Sequence, residues 1–239
     1  MGSPSFIHIH KNAIPNDVCE ILINLFEKRT ELQHPGVFGT AGEHVRDGEI
    51  KESIDITFHP GFLEDEDFGP VFGDYLLPAL LNGLDEYERY YYLGMENVSN
   101  MDLSVYFNMQ KYPPGGGYKI FHCERAGNQF FPRTLAWMLY LNDIEIGGET
   151  EFFYQQHFEK PEGGKLVIWP SDFTHTHRGI IAPKETKYIL TGWFQYSEPV
   201  VCKIWDSEKG DHQDDTFELN LGGVEKGIHT LVKSKVDDA

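Results

Sequence analysis

Cysteine is scarce in this chain. The three present, Cys19, Cys123 and Cys202, are odd in number, widely separated and free of any Cys-x-x-Cys pair. That argues against a disulfide framework and a zinc–thiolate site, and it favours a reducing compartment. Basic residues are also few: 20 Lys and Arg stand against 38 Asp and Glu, a formal charge of −18. A surface this acidic repels phosphate backbones, so nucleic acid is not an expected partner. Acidity can equally serve solubility alone. No apolar run approaches the roughly 18 residues that a membrane span needs. Met1 to Phe6 lack a charged segment followed by an apolar one. The expectation is a cytoplasmic protein with no membrane partner. No repeat of fixed period and no low-complexity tract interrupts the chain.

What is present is core-forming material. Hydrophobic residues make up 40% of the 239 positions and aromatic residues 14%, which excludes global disorder. We read residues 1–239 as one domain in three stretches. Residues 1–100 hold helices, a strand and a long loop. Residues 101–197 hold a β core, and 198–239 form an acidic extension. Phe6 to Ile9 is a short extended stretch. Val18, Ile21, Leu22, Leu25 and Phe26 make one helical stripe after a turn at Ile14 to Asp17. Residues 34–49, with four Gly and many polar residues, read as a long mobile loop and a candidate lid. Ser53 to Phe58 alternates as a strand does. Phe72 to Leu93 has helical spacing, with Pro78 marking a kink or a helix start. From Asp102 onward, short apolar strands at Leu135–Leu141, Glu151–Tyr154, Leu166–Trp169 and Tyr188–Tyr196 alternate with Gly/Pro turns. That texture predicts a mainly β (α+β) fold with a sandwich, barrel or jelly-roll core.

Chemistry first appears at His122-Cys123-Glu124. On a strand or a strand end, His122 and Glu124 share a face and Cys123 takes the other. An imidazole and a carboxylate side by side can hold a divalent metal, though His-x-Glu alone is weak and usually marks a solvated face. A second cluster, His175-Thr176-His177-Arg178-Gly179, follows some 55 residues later. A His-x-carboxylate with a distant His is the facial triad of non-haem iron oxygenases. Its nitrogen and carboxylate donors suit Fe(II), and it lacks the thiolates of structural zinc. Lys187 lies ten residues after His177 on the next expected strand. A buried lysine is costly unless it meets an anion, and a dicarboxylate cosubstrate would supply one.

These motifs resemble the double-stranded β-helix (jelly-roll, cupin-like) core of the Fe(II)/2-oxoglutarate-dependent dioxygenases, most of all the prolyl 4-hydroxylase branch. The resemblance rests on His122-Cys123-Glu124, Tyr140-Leu141-Asn142, Gly147-Gly148-Glu149-Thr150-Glu151-Phe152, Pro161-Glu162-Gly163-Gly164, His177-Arg178-Gly179, Lys187-Tyr188 and Trp193. It covers Asp102 to Tyr196, with helices before it as a looser match for supporting elements. It implies that His122, Glu124 and His177 bind iron. It implies that Lys187 pairs with the C5 carboxylate of 2-oxoglutarate and that Tyr140 hydrogen-bonds the same group. Tyr112 resembles a tyrosine lining the cosubstrate pocket. Thr191 and Trp193 would lie on the inward face of the Lys187 strand, and Arg133 near the pocket mouth. Glu124 departs from the Asp that most of the branch carries, and a carboxylate of either length argues against halogenation.

The implied activity is hydroxylation of an unactivated C–H bond, with Fe(II), 2-oxoglutarate and O2 as cofactors and cosubstrates, ascorbate as reductant, and succinate and CO2 as co-products. The branch points to a protein or peptide substrate, as in prolyl 4-hydroxylases. The alternatives are a hydroxylase of a small molecule or another side chain, and a metal-binding β-helix protein without catalysis. Spacing to Lys187 and the His-x-Gly context favour His177 over His175 as ligand. Cys123 and Trp193 read as packed core, and Tyr118 as packing beneath the Gly-rich loop. His8 and His10 have no motif context and read as surface or capping residues.

Overall fold

The computed structural model describes residues 5–40, 43–91, 101–127, 130, 132–196, 201–206 and 211–216. In chain order, the first stretch runs β1 (His8–His10), α1 (Asn16–Lys28), β2 (His34–Pro35), β3 (Phe38–Thr40), β4 (Glu43–Val45), β5 (Lys51–Glu52), β6 (Ile54–Phe58), α2 (Phe68–Val71) and α3 (Leu77–Tyr91). Then follow β7 (Met101–Leu103), β8 (Phe107–Tyr112), β9 (Gly117–Tyr118), β10 (Arg133–Tyr140), β11 (Thr150–Phe152), β12 (His157–Glu159), β13 (Leu166–Pro170), β14 (His177–Gly179) and β15 (Lys187–Tyr196). The chain separates into two compact units, 1–196 and 197–239. In the second, β16 (Val201–Asp206) pairs antiparallel with β17 (Asp211–Thr216).

The first unit is built on an eight-stranded antiparallel sheet, ordered β1-β13-β10-β15-β8-β6-β2 with β7 beside β15. A smaller sheet, β12-β11-β14, faces it. Across that gap Phe152 of β11 meets Trp169 of β13 with ring centroids 5.3 Å apart. This is the double-stranded β-helix that the resemblance implies. The large sheet is buried on both faces, so its strands read as nearly continuous apolar runs. Leu135, Trp137 and Leu139 of β10, Leu166 and Ile168 of β13, and Leu190 and Phe194 of β15 turn towards the helices. There they pack on Val18, Leu22 and Phe26 of α1 and Leu80 and Leu84 of α3. Ala136 and Tyr140, Val167 and Trp169, and Ile189 turn the other way, into the core between the sheets. Strand period sets this division: neighbouring side chains on one strand enter different compartments.

Several expectations need correction. Residues 34–49 are not one irregular loop, because Phe38 pairs with Val45 and Gly39 with His44 to make a β3–β4 hairpin. Phe38 and Val45, both β-forming residues, make the outermost pair of that hairpin. Of the strand or strand end considered for His122-Cys123-Glu124, neither is regular: β9 ends at Tyr118, and an isolated bridge between His122 and His177 follows. Pro78 lies inside a continuous helical run, directly after the π-helical turn at Phe72–Leu76 that joins α2 to α3. Pro has no N–H to donate, and the altered ladder of a π-turn is where such a residue is accommodated. Among the described residues no helix is long and apolar enough to cross a membrane.

Gly192 sits opposite Trp137 in the β10–β15 ladder. A Cβ at Gly192 would lie 2.6 Å from the Trp137 ring and 2.9 Å from the Phe107 Cβ. Gly192→Ala should therefore destabilise the fold by about 1–3 kcal/mol through overpacking, although alanine suits a strand better than glycine. A lowered urea midpoint with an unchanged m-value checks this; an unchanged midpoint would mean the ring can move aside.

Candidate active site

Two short backbone segments bring the distant motifs together. His122 and His177 exchange backbone hydrogen bonds of 2.9 Å in both directions. Glu124 is held next door, its N–H donating to the Ser171 carbonyl at 3.1 Å. The His177 Nδ1 lies 2.8 Å from the His175 carbonyl, and the His122 Nδ1 lies 3.1 Å from the Ile120 carbonyl. A carbonyl only accepts, so each ring carries its proton on Nδ1 and turns the Nε2 lone pair elsewhere. Both Nε2 atoms face Glu124 Oε1, at 3.5 Å from His177 and 3.7 Å from His122. One donor atom from each of the three side chains falls within 4.8 Å of the others.

The surroundings fix these side chains. Glu124 Oε2 accepts a 2.9 Å hydrogen bond from the Trp193 indole N–H. The Arg133 guanidinium donates to the Glu124 carbonyl at 3.2 Å and lies over the Trp193 ring, 3.4 Å from its centroid. The Tyr118 ring stacks on His122 at 3.7 Å, and Trp169 meets His177 edge-on at 5.1 Å. Burial raises the Glu124 carboxyl pKa, but the neighbouring His122 and His177 imidazoles outweigh it and hold the group well below the usual carboxylate range. Burial, then His177, push the His122 imidazole down. An ionised carboxylate beside an imidazole that resists protonation is the form in which such groups bind a cation. Two nitrogens and one oxygen, with tautomers set by carbonyls behind them, fit a divalent first-row metal.

The three side chains open onto a cavity of about 580 Å³. Lys187, Ile189, Thr191 and Trp193 line it from β15, every second residue of that strand. Across the ladder Lys187 pairs with Tyr112 of β8, and its Nζ lies 5.2 Å from the Tyr112 ring centroid. Lys187 is only 5% exposed. Its ammonium donates to the Gly148 carbonyl at 3.0 Å. Among the described residues no carboxylate comes within ion-pair distance of it. Burial lowers its pKa to about 8, against a smaller upward pull from Glu149. The Tyr112 hydroxyl donates to Gln110 Oε1 at 2.6 Å, and the Thr191 hydroxyl donates to the Trp137 carbonyl at 3.0 Å. Tyr140 is fully buried, and its hydroxyl lies 2.6 Å from that of Thr150, which lines the cavity.

Sequence reasoning missed other contributors. Trp193 reads as core but hydrogen-bonds Glu124. Tyr118 and Cys123 both line the cavity, because the irregular backbone after β9 abolishes the alternation that would have turned Cys123 away. His175, not a ligand, is buried and supplies the carbonyl that orients His177. Only the ring packing partners of Trp193 and Tyr118 could have revealed them, and those come from remote segments.

Residues 107–195 match the family model described as the 2OG-Fe(II) oxygenase superfamily. No curated protein matches the chain. Among solved structures, a Pseudomonas putida prolyl-4-hydroxylase aligns with a TM-score of 0.58 at 20% identity, covering 81% of this chain and 94% of that one. A Trichoplax adhaerens prolyl hydroxylase, solved with a hypoxia inducible factor oxygen degradation domain peptide fragment, aligns at 0.63 and 17% identity, covering 80% and 84%. The viral collagen prolyl hydroxylase of Paramecium Bursaria Chlorella virus-1, a 2OG complex, aligns at 0.54 and 18%, covering 81% and 97%.

The depressed Lys187 pKa makes a signed prediction. Below pH 8 the lysine is charged in both folded and unfolded chains, and the folded chain bears the whole desolvation cost. Between about 8 and the ordinary lysine value the folded chain sheds the proton and that cost falls. Without anions that could enter the cavity, Lys187→Met should be more stable than the parent at pH 7 by about 1–3 kcal/mol. The gain should shrink from pH 8 to 10. Urea melts across that range check it, and a gain independent of pH would be inconsistent with a buried charge.

Proposed function

We propose that the chain, whose residues 107–195 match the 2OG-Fe(II) oxygenase superfamily model and whose fold is similar to that of prolyl hydroxylases, is a 2-oxoglutarate-dependent Fe(II) dioxygenase that hydroxylates an unactivated C–H bond of a protein or peptide, as a prolyl 4-hydroxylase does. The observation that carries this is the convergence of His122 Nε2, His177 Nε2 and Glu124 Oε1 at one end of a cavity that also holds the buried ammonium of Lys187. His122, Glu124 and His177 would hold Fe(II). With iron, 2-oxoglutarate and O2 bound, one oxygen atom enters the substrate C–H bond and the other enters succinate as CO2 leaves.

The chain's own residues do the rest. Lys187 pairs with the far carboxylate of 2-oxoglutarate, which relieves the cost of its own burial. Tyr112, beside it, and Thr191, four residues along the same strand face, shape the pocket and fix the orientation of the cosubstrate. Tyr140 supports this region from behind, through Thr150. Trp193 and Arg133 keep Glu124 aimed at the metal position. Phe38, Tyr106, Ile120 and Phe130 bring apolar surface to the cavity lining, suited to a substrate side chain and to keeping water out. The acidic chain favours a basic polypeptide over a phosphate-bearing partner.

The test incubates the chain with Fe(II), 2-oxoglutarate, O2 and ascorbate as reductant, over a peptide library rich in proline. Succinate should form above background, and mass spectrometry should find peptides that have gained one oxygen atom. His177→Ala should abolish both products. Lys187→Ala should raise the KM for 2-oxoglutarate at least about tenfold, the loss of one charge-assisted contact. Absence of succinate, or an unchanged KM in Lys187→Ala, would refute the assignment. Oxygen gain at a residue other than proline would keep the chemistry and move the substrate.

The β3–β4 hairpin is the proposed cover. Phe38 lines the cavity and its ring lies 6.5 Å from that of Tyr118. Shortening the hairpin should depress coupled hydroxylation more than uncoupled succinate formation; equal losses in the two assays would remove it from the mechanism.

A further inference from the structure

A second convergence of ligand atoms lies outside the cavity, on the far edge of the large sheet. His8 and His10 are two apart on the edge strand β1, so their rings project from one face. That face is the one covered by α3. His8 pairs with Ile168 and His10 with Leu166 in the β1–β13 ladder. Helix α3 approaches those two partners closely, because a Cβ at Gly83 would lie 2.6 Å from Leu166 Cδ2 and 3.1 Å from Ile168 Cδ1. Glu86 follows Gly83 by three residues, nearly one helical turn, and so reaches the edge strand. His8 Nε2 lies 3.1 Å and His10 Nδ1 2.8 Å from the same atom, Glu86 Oε2. All three donor atoms fall within 4.8 Å of one another.

We infer that His8, His10 and Glu86 form a second divalent-metal site, of zinc type, which pins the edge strand β1 to helix α3. Two imidazole nitrogens exclude calcium and magnesium, which take oxygen ligands. Two nitrogens and one carboxylate oxygen, completed by water, are a tetrahedral zinc set. The side chains of His10 and Glu86 are 26% and 39% exposed, which gives water access to the fourth position. The His8 side chain is 10% exposed and is packed against Tyr90 and Tyr87, with ring centroids 5.6 and 6.4 Å away. The strand held this way is also tied at its start, where the Ser5 carbonyl accepts from His175 Nε2 at 2.9 Å. The site is independent of the iron assignment, since it shares no residue with His122, Glu124 and His177.

The test titrates Zn(II) into the metal-stripped full chain by calorimetry and by competition with a chromogenic chelator. The parent should bind two equivalents. The double variant His122→Ala/His177→Ala should keep one, and its melting temperature should rise with added zinc. Adding Glu86→Gln to that background should weaken the remaining site at least tenfold and remove the melting shift. Glutamine preserves the shape of the side chain, and circular dichroism without zinc confirms that the variant folds. His10→Gln, at a position more exposed than His8, provides an independent second removal. If the double variant binds no zinc, or if its remaining equivalent survives both Glu86→Gln and His10→Gln, the cluster is only a hydrogen-bonded clamp and the metal site is refuted. Failure of the iron assignment would instead appear as lost succinate formation with this equivalent intact.

Discussion

The half-buried negative charge of Glu124 is the constraint around which the site is organised. A carboxylate withdrawn from water costs several kcal/mol unless its lone pairs find partners. Oε2 takes an indole N–H and a guanidinium lies close by, while Oε1 stands beside the two imidazole Nε2 atoms, where a shared cation would satisfy all three. Each partner is itself held from behind. Carbonyls of Ile120 and His175 fix the two imidazoles, and Arg133 is sandwiched between Trp193 and Phe130. The carboxylate therefore remains ionised and keeps one direction. A ligand set for a cation needs both properties, and preorganisation of this kind spares the cost of ordering it at the moment of binding.

The opposite charge, Lys187, depends on the same sheet. Both faces of the large sheet are buried, so strand period alone decides which residues meet the helices and which meet the cavity. On β15 Leu190 and Phe194 go to the helices, while Lys187, Ile189, Thr191 and Trp193 go to the cavity. One strand thus carries both the cation and the residue that orients Glu124. A one-residue slip of β15 would bury Lys187 among the helices and remove Trp193 from the carboxylate. The β8–β15 and β10–β15 ladders, continuous over most of β15, stand against such a slip.

The sheet was legible in sequence wherever strands were long enough to show a period, as at Leu135–Leu141 and Tyr188–Tyr196. The three-residue strands β12 and β14 are too short for periodicity to separate them from turns. Within the site, residue types and spacing singled out His122, Glu124, His177 and Lys187, since imidazoles, carboxylate and amine are conspicuous against apolar neighbours. Trp193 was harder to read. An inward aromatic looks like core because burial is all that alternation encodes, whereas its hydrogen bond depends on the rotamer. Tyr140 shows another limit: its motif singles it out, but the 2.6 Å contact of its hydroxyl with Thr150 joins two strands and leaves no local trace. His8, His10 and Glu86 left no local signal, because His10 and Glu86 meet across 76 positions of sequence.

The glutamate at position 124 and the tryptophan at position 193 are best understood together. Glutamate carries its carboxylate one methylene farther from the backbone than aspartate and has one more torsion to fix. A free rotor of that length would not hold Oε1 between two imidazoles. Trp193 fixes it by taking Oε2, and the large indole has room because its cross-strand neighbour on β10 is Ala136. Arg133, on the same strand as Ala136, then covers the outer face of the indole. The small residue at 136, the aromatic at 193 and the cation at 133 form one packing unit whose effect is to stiffen a longer carboxylate. Aspartate at 124 would retract the carboxylate from the indole N–H and leave that half-buried donor without its acceptor, so the shorter ligand would not be a neutral replacement in this framework.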